Sequence, residues 1–273
     1  MTKSDNALAA VIQMCSGNNR EKNLASAGKL MKEAASRGAK LLVLPENFSF
    51  MGRNEEEKRA HREDPENSPS LNFLKEFAKE QKVWIVGGTI PMASEVEGKS
   101  FGACFLVSAD GKVKSRYDKI HLFDVDLGVG DVYRESDFIQ PGKTPVIAET
   151  PFGLLGLTVC YDLRFPELYR HLAAQGAIML AVPAAFTLTT GKDHWELLLR
   201  ARAVENFAYV LAADQWGRHP GGRQTYGHSM IVEPWGTVEA RCADGQGVVM
   251  APIDPVRSSR CRARIPCLKH RIL

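Results

Sequence analysis

The sequence has 273 residues, of which 44% are hydrophobic and 25% are charged. This composition is typical of a chain that buries a full core. The formal net charge of +3 is too balanced for a nucleic-acid groove or a membrane surface, so we expect small-molecule partners. No apolar run approaches the length of a bilayer span, and no secretory segment follows Met1. Six scattered cysteines without a Cys-x-x-Cys pair predict a cytoplasmic protein.

The first half of the sequence predicts the order strand, helix, strand, helix, strand. Short apolar runs mark the strands, and apolar residues at helical spacing mark the helices. The second helix has the clearest start, because Ser68 is a good N-cap and Pro69 suits the first helical position. These elements are predicted at residues 9–14, 23–37, 40–44, 68–78 and 83–87.

The second half repeats this order, and two hairpins are added to it. Asp110-Gly111 is a strong hairpin signal between residues 102–107 and 112–117. We expect an α/β fold with two sheets packed face to face under outer helices, although the pattern alone also permits a single doubly wound sheet. The remaining elements are predicted at residues 154–159, 166–175, 177–182, 193–207 and 208–213, with the second hairpin at 228–233 and 237–241.

Residues 51–69 and 214–225 are predicted as loops because they are rich in charge or in glycine. We expect one domain over residues 1–273. The basic segment at 253–273 is interleaved with proline and apolar residues. This mixture indicates a docked extension or a subunit contact rather than a nucleic-acid site.

Three ionisable residues stand at the ends of predicted elements, where open α/β sheets place their ligands. Cys160 follows an apolar strand and precedes a helix, which suits a nucleophile, although a lone buried thiol is the commoner case. Glu46 follows another apolar strand; desolvation there would raise its pKa and suit a general base, and a simple loop charge is the alternative. Lys119 lies among apolar neighbours, where a lysine is rare. It could stabilise an oxyanion, or it could form a salt bridge with Asp118 or Asp124.

These three groups together can hydrolyse an amide. A thiol with a pKa near ~8.5 needs a base or a positive charge to become nucleophilic at neutral pH, and Glu46 with Lys119 supplies both. Attack of Cys160 on the carbonyl carbon would release an amine and leave a thioester for water to hydrolyse. The chemistry needs no metal or cofactor, and no histidine lies in a Cys/His cluster with ligand spacing.

The motifs around these residues resemble the nitrilase superfamily of carbon-nitrogen hydrolases. They are Leu44-Pro45-Glu46-Asn47, residues 118–124 around Lys119, and residues 159–167 around Cys160, in the expected order. The resemblance implies an α-β-β-α sandwich and a homo-oligomer. It also implies a second glutamate in the site, matched by Glu135, which would position Lys119 or the hydrolytic water.

Further stretches resemble the branch of amidases that act on deaminated glutathione. They lie at residues 193–203, 217–219, 226–230 and 234–238. The related omega-amidases, which act on alpha-ketoglutaramate and alpha-ketosuccinamate, share many of them and remain an alternative. A catalytically idle scaffold or binding protein is a third possibility, although a scaffold has no need of the reactive set.

Both candidate substrates carry carboxylates near the scissile amide. Arg164 could bind one through two hydrogen bonds, or could instead pair with Asp162 or Glu167. By resemblance, Phe186 and Thr190 line the same pocket, and the Tyr161 backbone N–H joins Lys119 in an oxyanion hole.

Overall fold

A computed structural model describes residues 7–128 and 132–272. Its α-helices are α1 Arg20–Ser36, α2 Glu55–Ala60, α3 Pro69–Gln81, α4 Pro166–Ala174, α5 Leu188–Asn206 and α6 Pro255–Arg264. Its first strands are β1 Ala7–Gln13, β2 Leu41–Val43, β3 Trp84–Val86, β4 Ile90–Ala93, β5 Ser100–Val107, β6 Val113–Asp118, β7 Asp124–Asp126 and β8 Val132–Arg134. The others are β9 Val146–Thr150, β10 Gly153–Leu157, β11 Met179–Ala184, β12 Tyr209–Asp214, β13 Trp216–Arg218, β14 Gln224–Tyr226, β15 Met230–Val232, β16 Val238–Arg241 and β17 Gly247–Ile253.

Most of these strands form two mixed sheets. The first has the order β17-β1-β2-β3-β5-β4, with β6 paired to β5, and the second has the order β16-β15-β12-β11-β10-β9. The central pairs β1–β2, β2–β3, β10–β11 and β11–β12 are parallel, as expected for strands joined through helices. Two short ribbons, β7–β8 and β13–β14, stand apart from the sheets.

The alternation of side chains along β1 shows how the layers are stacked. Ala9 and Val11 belong to the core that includes Leu211 of β12, so this face of the first sheet meets the second sheet. Ala10 and Ile12 point the other way and pack with residues of α1 and α3. Because α4 and α5 pack on the second sheet, the fold is the expected α-β-β-α sandwich, and the single doubly wound sheet is wrong.

Helix starts explain the main differences between predicted and observed boundaries. The side chain of Asn19 accepts a hydrogen bond from the Lys22 N–H at 2.9 Å, so α1 begins before its apolar pattern does. Thr187 caps α5 in the same way, so this helix begins at Leu188, five residues ahead of the predicted start. The Ser68 cap and Pro69 start of α3 are confirmed.

The two predicted loops contain regular structure. Helix α2 lies inside residues 51–69 because the Asn54 side chain caps it, accepting from the Glu57 N–H at 2.8 Å. The β13–β14 ribbon occupies most of residues 214–225 and ends one residue beyond them, at Tyr226. Both segments have little apolar periodicity, so the sequence pattern did not predict the helix or the ribbon.

The C-terminal segment is docked on its own chain through α6. The Arg262 guanidinium donates to the carbonyl oxygens of Ala177 at 2.6 Å and Asn206 at 3.0 Å. One domain over residues 1–273, and a subunit contact at 253–273, stay predictions. Within residues 7–128 and 132–272, none of the helices combines the length and apolar character of a membrane span.

Candidate active site

Strand ends bring the four predicted reactive side chains to one cleft. Glu46 lies three residues after β2, Lys119 directly follows β6, Glu135 directly follows β8, and Cys160 lies three residues after β10. All four line the same cavity of about 270 Å³. Residues up to 114 positions apart in the sequence therefore line one small cavity.

The Lys119 ammonium bridges the two glutamates. Its Nζ lies 2.8 Å from Glu46 Oε1 and 2.8 Å from Glu135 Oε2, and only 2% of the residue is exposed. Although burial opposes the charge, Glu135 and Glu46 raise the pKa of Lys119 well above its usual value. The ammonium is therefore fixed at neutral pH. Its salt bridges are to Glu46 and Glu135 and not to Asp118 or Asp124, because Asp118 pairs with Arg116 and Asp124 accepts from the Ser136 N–H at 2.9 Å.

Glu135 is held from a second side as well. The Phe123 backbone N–H donates to Glu135 Oε2 at 2.6 Å, so this carboxylate has little freedom to leave Lys119. The backbone of Glu46 is anchored too, because Gln215 Nε2 donates to the Glu46 carbonyl oxygen at 2.9 Å. The bridge is thus built into the fold before any ligand arrives.

Cys160 stands on a strained turn that exposes its thiol to the cleft. Its φ of 48° lies in the left-handed region that residues other than glycine seldom adopt, and a short 3-10 helix, Cys160–Arg164, follows. The turn is fixed by Asp162, which is fully buried and accepts the Val159 N–H at 2.8 Å. Such a strained conformation is typical of a functional residue held by its surroundings.

Asp162 also ties the Cys160 turn to the Lys119 segment. It accepts from the Tyr117 hydroxyl at 2.6 Å and from the His121 backbone N–H at 3.1 Å. These two residues flank Lys119 by two positions on either side, so the nucleophile and the ammonium are positioned by one buried carboxylate. The sequence analysis missed this role and considered Asp162 only as an ion-pair partner of Arg164.

The pKa of Glu46 moves opposite to the sequence prediction. Burial raises it, but the charge of Lys119 and its hydrogen bond outweigh that effect and lower the pKa below its usual value. The predicted rise was therefore wrong. Glu46 is a carboxylate at neutral pH, and it lines the same cavity as the Cys160 thiol and interacts with it, so a proton acceptor lies beside the nucleophile.

Cys160 is a thiol rather than a thiolate in the free protein. Burial and the negative charge of Glu46 raise its pKa well above the usual value, and the opposing effect of Lys119 is smaller. Transfer of the thiol proton to Glu46 thus has to accompany attack on a carbonyl carbon, which is general-base rather than thiolate chemistry.

The other predicted binding residues lie at the wall of the same cleft. Tyr161 lines it while its ring packs edge-on at 5.1 Å from Phe123. Phe186 and Thr190 line it as well; the Phe186 N–H donates to Asp214 at 2.8 Å, and the Thr190 hydroxyl lies 2.8 Å from that of Thr187.

Arg164 is placed behind this wall rather than in it. Its guanidinium lies over the Phe186 ring at 5.2 Å and 3.3 Å from His194 Nδ1. The alternative pairing with Asp162 is wrong, because that carboxylate is occupied by Tyr117, His121 and Val159.

Three cations that the sequence analysis did not assign line the cleft: Lys58, Arg134 and Arg223. Arg134 adjoins the recognised Glu135, which was a usable signal. Lys58 and Arg223 lie in the two segments predicted as loops, where nothing in the local pattern distinguishes them from solvated charges.

In the part of the chain that the structure describes, no group of three His, Cys, Asp or Glu side chains is placed to hold a metal ion. Instead, His121 lies 2.7 Å from Asp162, and His219 Nδ1 lies 2.8 Å from the Ser16 carbonyl oxygen. Both histidines therefore serve the packing of the site's walls.

The fold and this site define a carbon-nitrogen hydrolase, and the chain belongs to that family, whose pattern matches residues 8–263. It is accordingly a hydrolase of carbon-nitrogen bonds other than peptide bonds. A protein of Synechocystis sp. named deaminated glutathione amidase is 44% identical over 97% of this chain and 98% of its own length.

Two solved structures agree with this assignment. The NitFhit protein of C. elegans has a TM-score of 0.91 at 36% identity, covering 98% of this chain. This chain spans 65% of that longer protein. Nit3 of Saccharomyces cerevisiae, described as a member of branch 10 of the nitrilase superfamily, has a TM-score of 0.88 at 31% identity, with 98% and 97% of the two chains covered.

Proposed function

We propose that this protein is a cysteine-dependent amidase that hydrolyses deaminated glutathione through a thioester. The observation that carries the proposal is the Glu46–Lys119–Glu135 bridge beside the thiol of Cys160. The name of the Synechocystis relative, with 44% identity over nearly the whole chain, supports the substrate.

In the first half-reaction, Cys160 Sγ attacks the amide carbonyl carbon while Glu46 takes the thiol proton. The charge that develops on the carbonyl oxygen is stabilised by the Lys119 ammonium and the Tyr161 backbone N–H. Glu46 then gives the proton to the nitrogen, and the C–N bond breaks. The amine leaves, and the acyl group stays bound to Cys160 Sγ as a thioester.

In the second half-reaction, Glu46 accepts a proton from water, which attacks the thioester carbon. The oxyanion forms at the same place, and its collapse breaks the C–S bond and returns the proton to sulfur. Glu135 keeps Lys119 aimed at that place, because its two oxygens lie 3.0 and 2.8 Å from Nζ. Phe186 and Thr190, which line the cleft, would contact the keto-acid end of the substrate, and Arg164 would support the Phe186 ring from behind.

A scaffold without activity is the less favoured function. The Lys119 ammonium is 98% buried between two carboxylates, and its desolvation costs free energy. The strained backbone of Cys160 costs more. A protein that only needed to pack its core would require neither.

The test is a comparison of rates on deaminated glutathione, alpha-ketoglutaramate and a simple nitrile with the purified protein. We expect the highest kcat/KM on deaminated glutathione. A higher value on alpha-ketoglutaramate would assign an omega-amidase, and a higher value on the nitrile would assign a nitrilase. No turnover of any of them would contradict the proposal.

We also propose a cytoplasmic homo-oligomer that binds neither nucleic acid nor membrane. Six free thiols among the described residues support a reducing compartment. Light scattering after gel filtration, compared with the 30.1 kDa chain mass, tests the oligomer.

A further inference from the structure

A buried glutamine joins the two sheets beside the catalytic cleft. Gln215 directly follows β12 of the second sheet and is 0% exposed. Its backbone N–H donates to the carbonyl oxygen of Ala184, the last residue of β11, at 3.0 Å. Its side chain contacts Ser16 and Glu46, which follow β1 and β2 of the first sheet. Gln215 therefore belongs to the second sheet by its backbone and contacts loops of the first sheet by its side chain.

The Gln215 amide is fully hydrogen-bonded in one orientation. Its Nε2 donates to Ser16 Oγ at 2.8 Å and to the Glu46 carbonyl oxygen at 2.9 Å. Its Oε1 accepts from the Ser16 backbone N–H at 3.0 Å. If the amide were turned over, its oxygen would face the Glu46 carbonyl oxygen and its NH₂ would face the Ser16 N–H. These contacts therefore fix both the position and the direction of the amide.

Ser16 gives the loop after β2 a second point of attachment. Its hydroxyl donates to the Phe48 carbonyl oxygen at 3.0 Å. Its own carbonyl oxygen lies 2.8 Å from Nδ1 of His219, which is 3% exposed. Gln215 thus holds residues 46–48 twice, directly at Glu46 and through Ser16 at Phe48.

This attachment matters because the base and the nucleophile come from different sheets. Glu46 follows β2 of the first sheet, and Cys160 follows β10 of the second. Lys119 holds the carboxylate of Glu46, whereas Gln215 holds its backbone. A misplacement of about 1 Å in a reacting group can cost about 10²-fold in rate. The position of the base relative to the thiol therefore needs a rigid link between the sheets.

Resting on the general-base role proposed for Glu46, we infer that Gln215 is a positioning residue, which places Glu46 against the Cys160 thiol by tying the backbone of the base to the sheet that carries the nucleophile. Gln215 is not among the described residues that line the cleft. It therefore acts on the reaction through Glu46 and not by contact with substrate.

A second buried glutamine supplies a matched control. Gln13 is also 0% exposed. Its Nε2 donates to the carbonyl oxygens of Ala243 at 2.8 Å and Gly245 at 2.6 Å, and its Oε1 accepts from the Ser229 N–H at 2.8 Å. Like Gln215, its side chain donates two hydrogen bonds and accepts one, yet none of these partners lines the cleft. Gln13→Met therefore reports what the loss of such an amide does to the fold alone.

The first test needs no substrate and follows the pH profile of Cys160 alkylation in the full chain. Burial, and after it the charge of Glu46, raise the pKa of the Cys160 thiol. In Gln215→Met we expect Glu46 to be held less closely and the profile to move to lower pH. The expected shift is at least about 0.5 unit, a fraction of the roughly 1–3 units that a neighbouring charge can cause.

A double substitution shows whether this shift depends on Glu46. In a Glu46→Gln background no charge is left to position, so adding Gln215→Met should move the alkylation profile no further. Gln13→Met alone should leave the profile unchanged. The inference is overturned by no shift or an upward shift in Gln215→Met, by an equal shift in Gln13→Met, or by a further shift in the Glu46→Gln background.

The second test uses whichever amide the unmodified protein hydrolyses. We expect Gln215→Met to lower kcat at least about tenfold, part of the roughly 10²–10⁴-fold that a general base contributes. KM should stay within about twofold, as should both constants in Gln13→Met, because neither glutamine contacts substrate. A change in KM alone, or an equal loss of kcat in Gln13→Met, would assign Gln215 no role in positioning the base.

Two further outcomes are covered by this design. If circular dichroism shows that Gln215→Met is unfolded, Gln215→Asn replaces it, with Gln13→Asn as its control. Asparagine keeps the amide but is one methylene too short to keep both contacts, so the same shift and the same loss of kcat are expected. If the unmodified protein hydrolyses no amide, the proposed function fails, and the alkylation profiles still decide whether Gln215 positions Glu46.

Discussion

Replacing Lys119 by methionine tests whether the buried bridge is held by its ammonium. The side chains of Lys119, Glu46 and Glu135 are 3%, 6% and 18% exposed, so the change leaves two carboxylates facing each other away from water. Removing one member of a buried ion pair costs about 3–5 kcal/mol. We expect Lys119→Met to lower the free energy of unfolding by about 3 kcal/mol at pH 7, the low end of this range. The reason is that Glu135 keeps its hydrogen bond from the Phe123 N–H and some contact with water.

The loss depends on pH, and its sign can be worked out. In the unmodified protein the pKa of Glu46 is lowered, so its ionised form contributes stability above the unfolded pKa, and that contribution is lost as pH falls through the folded pKa. Without Lys119, burial and the nearby Glu135 raise the pKa of Glu46 instead. The Lys119→Met protein therefore loses stability as pH rises. Its free energy of unfolding lies further below that of the unmodified protein at pH 7 than at pH 5.

Urea unfolding followed by tryptophan fluorescence at both pH values measures this difference. Lys112→Met is the control, since Lys112 pairs with Asp110 on the surface with 76% of its side chain exposed, and we expect no measurable change. An equal loss at pH 5 and pH 7, or a loss no larger than that of the control, would refute the reasoning. Hydrolysis should be lost in Lys119→Met at both pH values.

Three other substitutions test the catalytic assignments. Cys160→Ala should abolish hydrolysis and leave the circular dichroism spectrum unchanged; turnover that survives it removes the nucleophile assignment. Glu46→Gln should slow hydrolysis by at least about 100-fold, the usual contribution of a general base, yet lower the pKa of Cys160 because a negative charge is removed. The pH profile of Cys160 alkylation, followed on its own peptide, should shift to lower pH, and a shift upward contradicts the pairing. Because Arg164 lies behind Phe186, Arg164→Lys should change KM equally for carboxylate-bearing and neutral amides, and a larger rise for the carboxylate-bearing ones would contradict this placement.

Much of the fold could be predicted because its signals are local. The apolar runs of β1, β2 and β10 and the Ser68-Pro69 start of α3 each depend on a few adjacent residues. Helix α2 and the β13–β14 ribbon have polar sequences, and caps or tertiary contacts define them. The Asn54 cap of α2 is local but has no apolar periodicity after it to mark a helix, and the packing of Gly221 against Arg53 forms only once the chain is folded.

The catalytic residues were predictable for a related reason. Glu46, Lys119 and Cys160 each follow an apolar strand or lie in an apolar context, which makes a charged or reactive side chain conspicuous. Lys58 lies in a run of charged residues, and Arg223 follows two glycines, so neither is conspicuous. Their place at the cleft comes from a wall formed by two segments that are 165 positions apart at these residues.

The protonation states show where sequence reasoning must stop. Burial of Glu46 was foreseen, and by itself it raises a carboxyl pKa. The net direction depends on a competing attraction that changes steeply with distance, and only the 2.8 Å contact to Lys119 makes that attraction dominant. Burial, and after it the charge of the same carboxylate, raise the pKa of Cys160. With Glu46 ionised and Cys160 protonated, the proton lies on sulfur before reaction and has an acceptor beside it, which is the starting state that general-base attack on an amide needs.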